Sequence, residues 1–347
     1  AGSTVTGFIV EHATLEGILA QNTSGLSIHN NVVKNNDLGV NAATPTGECA
    51  AQGATPGDCG EALHLWSVTN STVKQNMVSD NDGGILLTDE TGPTSGNTIT
   101  ENKVTSTGAD CGIVLASHAF NLGAPVDPSM GGVFNNTITN NSVVDSGPNG
   151  AGVGLFAAAP GGSTYNNTVS GNTLSGNGLP GVAIHSHSPF QNVNGNVITN
   201  NVISNNGADD DAETGGPTGI VVFADVASGA MPIKTETISG NRISNEAIGI
   251  FIKGAAATID VSTNAIEVNV ATPVSVVSTG SAPSGNGTSG SSGAATGSGT
   301  SGSIQPPNTG DAGLASTASG AYGLEVLAIL SGLLALAFLG AVRVRQS

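Results

Sequence analysis

Apolar and polar positions follow a short unit that repeats along the first three-quarters of the chain. The unit reads apolar, two residues, Asn, one residue, apolar, and it is clearest in the stretch from Asn196 to Ser204. It occurs eight times, with its asparagines at Asn31, Asn76, Asn102, Asn141, Asn172, Asn201, Asn241 and Asn264. Eight copies are too many for chance, so the pattern predicts a repeat architecture.

A second motif lies between the copies and consists of Gly or Ala followed by apolar, any, apolar, as at Gly84, Gly112 and Gly219. Thr, Val and Ile are enriched at the strand positions, and Gly and Asn at the bends. Each repeat therefore predicts three short strands that form one coil, with coils stacked about 4.8 Å apart. This is the pattern of an all-β fold, a right-handed parallel β-helix of about nine coils over residues 1–275.

The repeated Asn is expected to form a ladder along the stack, because its amide can both donate and accept a hydrogen bond. We expect it to adopt the left-handed conformation at a sharp bend. The strand after each Gly is apolar on both faces, so its outer face should be covered, either by the long loops that border it or by a bound polymer or partner. Those loops are predicted at 37–61, 117–134, 205–218 and 224–235.

Composition narrows the choice of partners. Gly accounts for 51 of 347 residues, while charged residues make up 10% and aromatic residues 3%, which argues against a helical enzyme with a large aromatic core. The net charge of −17, with only eight Lys plus Arg, excludes nucleic acid as an expected partner. An acidic surface suits a soluble extracellular domain or a cationic ligand.

The cysteines leave two interpretations open. Cys49 and Cys59 bracket a loop rich in Gly, Pro and Ala, which a disulfide could close, or both could be free buried thiols. Cys111 immediately precedes a predicted strand and is expected to be a small core residue.

The C-terminal region predicts an anchor. Residues 276–305 are rich in Gly, Ser and Thr and are typical of a disordered linker. The apolar segment 323–342 predicts a transmembrane helix, and the basic tail 343–347 would lie in the cytoplasm, which leaves the β-helix outside the cell.

With residues 306–310, this region resembles the cell-wall sorting signal of bacterial surface proteins, a Leu-Pro-any-Thr-Gly motif followed by an apolar helix and a basic tail. Pro307, Thr309 and Gly310 match the motif, and Pro306 stands where it has Leu. The resemblance implies cleavage by a sortase between Thr309 and Gly310. Without cleavage the segment would remain a membrane anchor.

Over roughly Ser3 to Val270 the repeats resemble the right-handed parallel β-helix superfamily, similar to pectate-lyase-like and periplasmic copper-binding β-helix proteins. In pectate-lyase-like members the substrate groove has a similar arrangement, with long loops beside the corresponding strand. The superfamily includes lyases, hydrolases and adhesins. The chain lacks the Asp pair with His and Arg-Lys motifs of polygalacturonase-like members, so a standard pectinase is disfavoured.

Alignment of the coils on the second motif brings polar and aromatic residues to one side of the helix. The candidate catalytic residues are Glu90, His118 and His187, and the candidate ligand-binding residues are His64, Trp66, Asp89, Phe156, His185, Phe223 and Asp225. Glu90 and His118 should be about 5 Å apart, within reach for acid–base catalysis or for a divalent cation, the one cofactor considered. Trp66 with Phe156 or Phe223 could stack on a sugar ring. The alternative is that all of these are ordinary polar turn residues.

One further acidic group stands out. Asp209, Asp210 and Asp211, with Glu213, form a carboxylate cluster whose chemistry suits Ca²⁺. Its loop lacks the spaced carbonyl partners of a calcium site, so we expect a solvated acidic tip.

Three functions remain open. The first is a surface-anchored β-helix that binds a polysaccharide or another extended ligand beside the Gly-motif strands. The second is a polysaccharide lyase or glycoside hydrolase with its acid and base residues there. The third is a structural stalk or adhesin.

Overall fold

The computed structural model describes residues 2–36, 61–108, 110–118, 127, 129–157, 160–254 and 259–278. These residues all belong to one compact unit, Ala1–Ala315. The predicted Cys49 and Cys59 pair, the sorting motif, the transmembrane helix and nearly all of the linker lie outside the described residues. Within the described ranges, no helix is long and apolar enough to cross a membrane.

In the described ranges, to which the strand numbers of this section refer, short strands from successive coils stack into three sheets, which we call sheets A, B and C. Sheet A has eight strands: Thr4–Thr6, Ser27–His29, Thr72–Lys74, Thr98–Thr100, Thr137–Thr139, Thr168–Ser170, Val197–Thr199 and Thr237–Ser239. Sheet B has nine: Ile9–Glu11, Val32–Lys34, Met77–Ser79, Lys103–Thr105, Ser142–Val144, Thr173–Ser175, Val202–Ser204, Arg242–Ser244 and Ala265–Ile266.

Sheet C has twelve strands and carries the second sequence motif. Its main strands are Ile18–Ser24, Glu61–Thr69, Gly83–Thr88, Ile113–Ser117, Val153–Ala157, Val182–Ser186, Thr218–Ala224, Ile248–Lys253 and Thr272–Val277. Three short strands extend it, Thr94–Ser95, Val133–Phe134 and Thr164–Tyr165. A single 3₁₀ turn, Val226–Ser228, is the one helical element in the described residues.

The strands pair in parallel from coil to coil, as the repeat predicts. In sheets A and B the central apolar residue of each three-residue strand points inward, so that Val169, Ile198 and Ile238 stack directly on one another and are fully buried. At the start of the sheet C strands, the backbone lies very close to the neighbouring coil. A Cβ at Gly84 or Gly112 would overlap an atom of that coil. This close approach explains the recurring Gly.

The repeated asparagines form a continuous hydrogen-bonded ladder at the corner between sheets A and B. Each side-chain Nδ2 donates to the Oδ1 of the Asn in the following coil, over 2.8–3.0 Å from Asn31 to Asn264. The backbone N–H of the same Asn donates to that oxygen too, as at Asn172 and Asn201. The ladder thus satisfies polar groups that would otherwise be buried without partners.

The left-handed conformation, which was expected at the ladder Asn itself, belongs instead to the residue before it. Gln75, Glu101 and Asn140 have φ of 55–56°, and Gly171 has φ of 66°. The ladder asparagines are not among the described residues with positive φ. The preceding residue makes the bend, which frees the Asn side chain to turn inward along the stack.

Two further ladders run at the other corners and were not predicted. One joins Asn97, Asn136, Asn167 and Asn196, and another ends in Asn177 and Asn206. In the next coil both positions are occupied by a glutamate. Glu246 accepts from the Nδ2 of Asn206 at 2.8 Å, and Glu236 lies beside Asn196.

These glutamates are buried, and burial disfavours their charged form. Burial raises the pKa of Glu236 to about 8, although the Asn196 amide opposes the shift. Burial likewise raises the pKa of Glu246 to about 7 against the opposing hydrogen bonds from Asn206. Both carboxyl groups are therefore protonated in slightly acidic solution.

Removal of one ladder amide should destabilise the fold. Asn172→Ala removes the side-chain oxygen that accepts from the backbone N–H and the Nδ2 of Asn141, and one of the two donors to the Oδ1 of Asn201, in a fully buried position. We expect a loss of about 2 to 4 kcal/mol in the free energy of unfolding, measured by urea denaturation. Thr173→Ala, an exposed neighbour, is the matched control and should change stability by less than about 0.5 kcal/mol. Equal effects of the two variants would contradict the role of the ladder.

Glu236 should make stability depend on pH. Its pKa is about 8 in the folded protein against an ordinary value of 4.5, so the native state binds more protons between these values and stability falls as the pH rises. Glu236→Gln removes this dependence and should stabilise the protein at pH 8 by on the order of 2 to 4 kcal/mol, with little effect at pH 4.5. Urea midpoints across this range test it, with the exposed Glu101→Gln as control. Parallel curves for Glu236→Gln and the unmodified chain would refute it.

Candidate functional site

The outward positions of sheet C stack in the predicted register. Four residues after each motif Gly or Ala, the paired positions include Gln21 with Trp66, Trp66 with Thr88, Ala116 with Phe156, His185 with Phe223, and Phe223 with Lys253. Most of this outer face is buried, including Leu86, Val114 and Ala183. The sheet therefore has a covered outer face, and its polar side chains gather in two clusters.

The first cluster, which we call the His64–His118 network, crosses the early coils. His64 contacts Glu16 through Nδ1 at 3.2 Å and the Thr88 hydroxyl through Nε2 at 2.8 Å. His118 Nδ1 lies 3.0 Å from Glu90 Oε1. The side chains of Glu90 and His118 are 20% and 11% exposed, so the pair is largely enclosed but reaches the surface.

The network keeps its carboxylates ionised. Burial acts to raise the pKa of Glu90, but the hydrogen bond and charge of His118, together with His64 and Thr88, outweigh it and hold the pKa at about 2. Burial acts to raise the pKa of Glu16 as well, but the hydrogen bond from His64, a backbone hydrogen bond and the charge of His64 together outweigh it and lower the pKa. Glu90 is thus a fixed anionic acceptor that orients the His118 ring.

Asp89, expected among the ligand-binding residues, instead ties the chain together. Its Oδ1 accepts from the backbone N–H of His118, and its Oδ2 accepts from the Ser117 hydroxyl and the Gly132 N–H. The residue is 1% exposed, and burial raises its pKa against these bonds. Asp89 positions the backbone that carries His118.

The second cluster, which we call the His185 cluster, lies in the later coils and comprises His185, His187, Asp209 and Asp211. His185 Nε2 lies 2.8 Å from Asp209 Oδ2. Asp211 Oδ2 lies 3.4 Å from His185 Nδ1 and 3.2 Å from His187 Nε2. Both histidines project from the end of one strand, while the two aspartates come from the loop that precedes the next.

Charge in the His185 cluster is unevenly shared. Burial acts to lower the pKa of His185, but Asp209 and Asp211 outweigh it and raise the pKa to about 10. Burial and the charge of His185 lower the pKa of His187. The pKa of Asp209 is lowered because His185 outweighs its burial. One positive ring therefore lies between carboxylates, with a neutral ring beside it.

The predicted aromatic platform does not form, because Phe156 and Phe223 are buried. Phe156 is 0% and Phe223 5% exposed, and both pack edge-on against His185 at centroid distances of 5.3 and 5.5 Å. Trp66 is partly exposed and stacks beside His64 at 6.0 Å. Only Trp66 of the three could contact a sugar.

The structure thus separates the three predicted catalytic residues into two clusters. Glu90 and His118 are in contact, but His187 belongs with His185, Asp211 and Phe223 instead. Asp225 caps the 3₁₀ turn by accepting from the Ser228 N–H.

The expectation of a solvated acidic tip is wrong for two of its residues. Asp209 is fully buried, and the Asp211 side chain is only 12% exposed. The loop folds back because the Asp209 N–H donates to the Thr214 hydroxyl, and because Lys253 Nζ donates to Ala212 O and pairs with Glu213. Sequence reasoning also missed Glu16, Thr88 and Glu61. The signal in the sequence for the His185 cluster is that two histidines, His185 and His187, and the acidic run from Asp209 to Asp211 lie in successive coils.

Comparison with known proteins gives the fold. The family model described as periplasmic copper-binding protein (NosD) matches residues 1–147. Among curated proteins, none matches the sequence significantly.

Solved structures of similar fold include the A-module of the Azotobacter vinelandii mannuronan C-5 epimerase AlgE4, with 18% identity and a TM-score of 0.52 over 80% of this chain and 62% of that module. The chain thus spans less than two thirds of that module. An alginate lyase from Paenibacillus sp. is 12% identical with a TM-score of 0.40, over 80% of this chain and 100% of the lyase. The periplasmic alginate epimerase AlgG is 14% identical with a TM-score of 0.39, over 78% of this chain and 51% of AlgG. With its three parallel sheets and its ladders, the chain is a right-handed parallel β-helix repeat protein.

Proposed function

We propose that the protein binds an extended polysaccharide across the outer face of sheet C, at the His64–His118 network. The observation that carries this is the contact of 3.0 Å between His118 Nδ1 and an ionised Glu90, at a position that remains partly exposed. Trp66 lies in the same network and offers the flat apolar surface on which sugar rings stack. Successive coils repeat at about 4.8 Å, close to the length of a sugar residue, so a linear polymer can contact several coils.

The Glu90 and His118 pair favours acid–base turnover of that polysaccharide as a second candidate function. A carboxylate that binds one imidazole nitrogen fixes the orientation of the ring, which is the arrangement that general acid–base catalysis by histidine requires. Such a pair suits a lyase, a hydrolase or an epimerase. The fold shared with a mannuronan epimerase module makes alginate the first polymer to test.

Charge decides how alginate could bind. The network contains Glu16, Glu61 and Glu90, and the whole chain carries a net charge of −17. A polyuronate would be repelled by these carboxylates unless a divalent cation bridges them. A neutral or amino polysaccharide needs no such bridge.

Copper, the metal in the description of the matching family model, is not assigned to this network. In the matched region, the described residues that could converge on a metal are Glu16, Glu61 and His64, two hard carboxylates and one imidazole. Cys111, the softer donor that copper(I) prefers, is buried and accepts from the Ala151 N–H through its sulfur. These donors fit a hard divalent cation better than copper(I).

The polysaccharide proposal is tested with alginate, a neutral glucan and chitosan, each with and without Ca²⁺. We expect calorimetry to detect binding to the unmodified chain. The affinity should fall at least tenfold in Trp66→Ala and His118→Ala. Because Glu90→Gln keeps the size of the side chain but not its charge, it should preserve binding and abolish any turnover. Turnover is followed as new unsaturated ends, as new reducing ends or as a changed uronate ratio by NMR. His29→Ala, on sheet A, is the matched control. Equal binding by all four variants would disprove the site.

We also propose that the β-helix lies outside the cell and that residues 306–347 anchor it, with or without sortase cleavage. Support comes from the sequence, which places an apolar segment at 323–342 before a basic tail. The full chain expressed in a Gram-positive host should sediment with membrane or wall, and a chain that ends at residue 322 should appear in the medium. Identical fractionation of the two would contradict the anchor.

A further inference from the structure

We propose that His185, His187 and Asp211 form a binding site for a divalent transition metal of the zinc class. These residues belong to the His185 cluster, which is separate from the His64–His118 network of the polysaccharide proposal. It rests on the convergence of three ligand atoms, on their hydrogen bonding and on the support behind them.

The three ligand atoms are His185 Nδ1, His187 Nε2 and Asp211 Oδ2, and they all lie within 4.8 Å of one another. Asp211 Oδ2 is 3.4 Å from the first and 3.2 Å from the second. In a tetrahedral zinc site with metal–ligand distances of about 2.0 to 2.1 Å, neighbouring ligand atoms are about 3.3 to 3.4 Å apart. The spacing around Asp211 is therefore that of two edges of a zinc tetrahedron.

Hydrogen bonding does not account for this convergence. His185 Nδ1 and Asp211 Oδ2 are both buried atoms without a hydrogen-bond partner, although they face each other. Charge-assisted N–H···O bonds are normally 2.7 to 2.9 Å long, shorter than either distance here. Buried polar atoms without partners are uncommon and call for an explanation, such as an ion.

The support behind the ligands is that of a metal site. His185 gives its other nitrogen to Asp209 at 2.8 Å, which fixes the ring and directs Nδ1 toward Asp211. Asp209 is itself held by the Ala212 N–H through Oδ1. A carboxylate that binds the second nitrogen of a ligating histidine is a general feature of zinc sites. Phe156 and Phe223 pack edge-on against His185 and limit its rotation further.

The donor set indicates the kind of metal. Two imidazoles and one carboxylate suit Zn²⁺ and its neighbours in the first transition row, whereas Ca²⁺ and Mg²⁺ prefer oxygen ligands throughout. Lys253 pairs with Glu213 and Ala212 O, so the positive charge beside Asp211 in the metal-free chain is that of His185, whose Nδ1 proton a metal would replace. His187 and Asp211 are 13% and 12% exposed, so a metal could enter from solvent and keep a water ligand.

The first cluster is different in this respect. There both nitrogens of His64 have partners, Glu16 and the Thr88 hydroxyl, at 3.2 and 2.8 Å. Its imidazole is therefore engaged within the protein, and the His185 cluster is the stronger metal site of the two.

The test uses the full chain without a polyhistidine tag, stripped with chelator and titrated with Zn²⁺ by calorimetry, and with Co²⁺ by its visible absorption. We expect one equivalent to bind with tetrahedral Co²⁺ bands and to raise Tm. His187→Ala and Asp211→Asn should weaken binding at least 100-fold, and Asp209→Asn 10- to 100-fold because it acts through His185.

Two controls keep the outcome unambiguous. His118→Ala and His64→Ala remove histidines of the other cluster and should leave the affinity unchanged. Unaltered Tm values of the metal-free His187→Ala and Asp211→Asn variants would show that these partly exposed substitutions do not unfold the chain. Failure of the unmodified protein to bind Zn²⁺ or Co²⁺, or binding lost in His64→Ala but kept in Asp211→Asn, would overturn the proposal.

Discussion

The structure depends on the need to satisfy buried amide groups at the corners of every coil. A chain that turns three times per coil has bends at which backbone N–H groups point away from any sheet. The ladder asparagines resolve this, since one side chain accepts from the coil before and donates to the coil after, as Asn172 does with Asn141 and Asn201. Because the bond geometry must recur in each coil, the ladder allows almost no slip between coils.

This fixed register determines which side chains of sheet C become neighbours. Once Asn201 is bonded to Asn241, the strands of sheet C must stack with His185 next to Phe223 and Phe223 next to Lys253. Side chains with no regular pattern along the sequence therefore become neighbours in space. Insertions cannot enter the stack without breaking the ladder, so they leave at the corners, and the described insertion at 205–217 folds back on the outer face of sheet C.

The sequence alone predicts the features that the repeat determines. It predicted the parallel strands, the Asn positions and the contact between Glu90 and His118, because each follows from counting residues within a periodic unit. The left-handed residue was misplaced by one position, since Asn tolerates that conformation and the local pattern does not distinguish the bend from the ladder. The repeat does not predict the glutamates at ladder positions, because the repeat has Asn there.

The loops could not be predicted because their conformation comes from contacts distant in sequence. An acidic run such as Asp209 to Asp211 is normally solvated, and composition favours that interpretation. Here Lys253, about forty residues away in the chain, pairs with Glu213, and Thr214 accepts the Asp209 N–H, so the run is pulled onto the sheet. The same fold-back buries Ala212 against Val221 and Phe251.

The two clusters on sheet C show how one scaffold can hold different chemistry. In the His64–His118 network, both nitrogens of His64 and the Nδ1 of His118 lie within hydrogen-bonding distance of a carboxylate or a hydroxyl, which fixes the orientation of both rings. In the His185 cluster the loop brings a carboxylate oxygen to two imidazoles at distances too long for strong hydrogen bonds. In the metal-free chain the positive charge of His185 offsets these carboxylates, and a bound metal would take over that role. The ladder that makes the scaffold regular therefore also fixes where an inserted loop can bring its charged groups onto the side chains of sheet C.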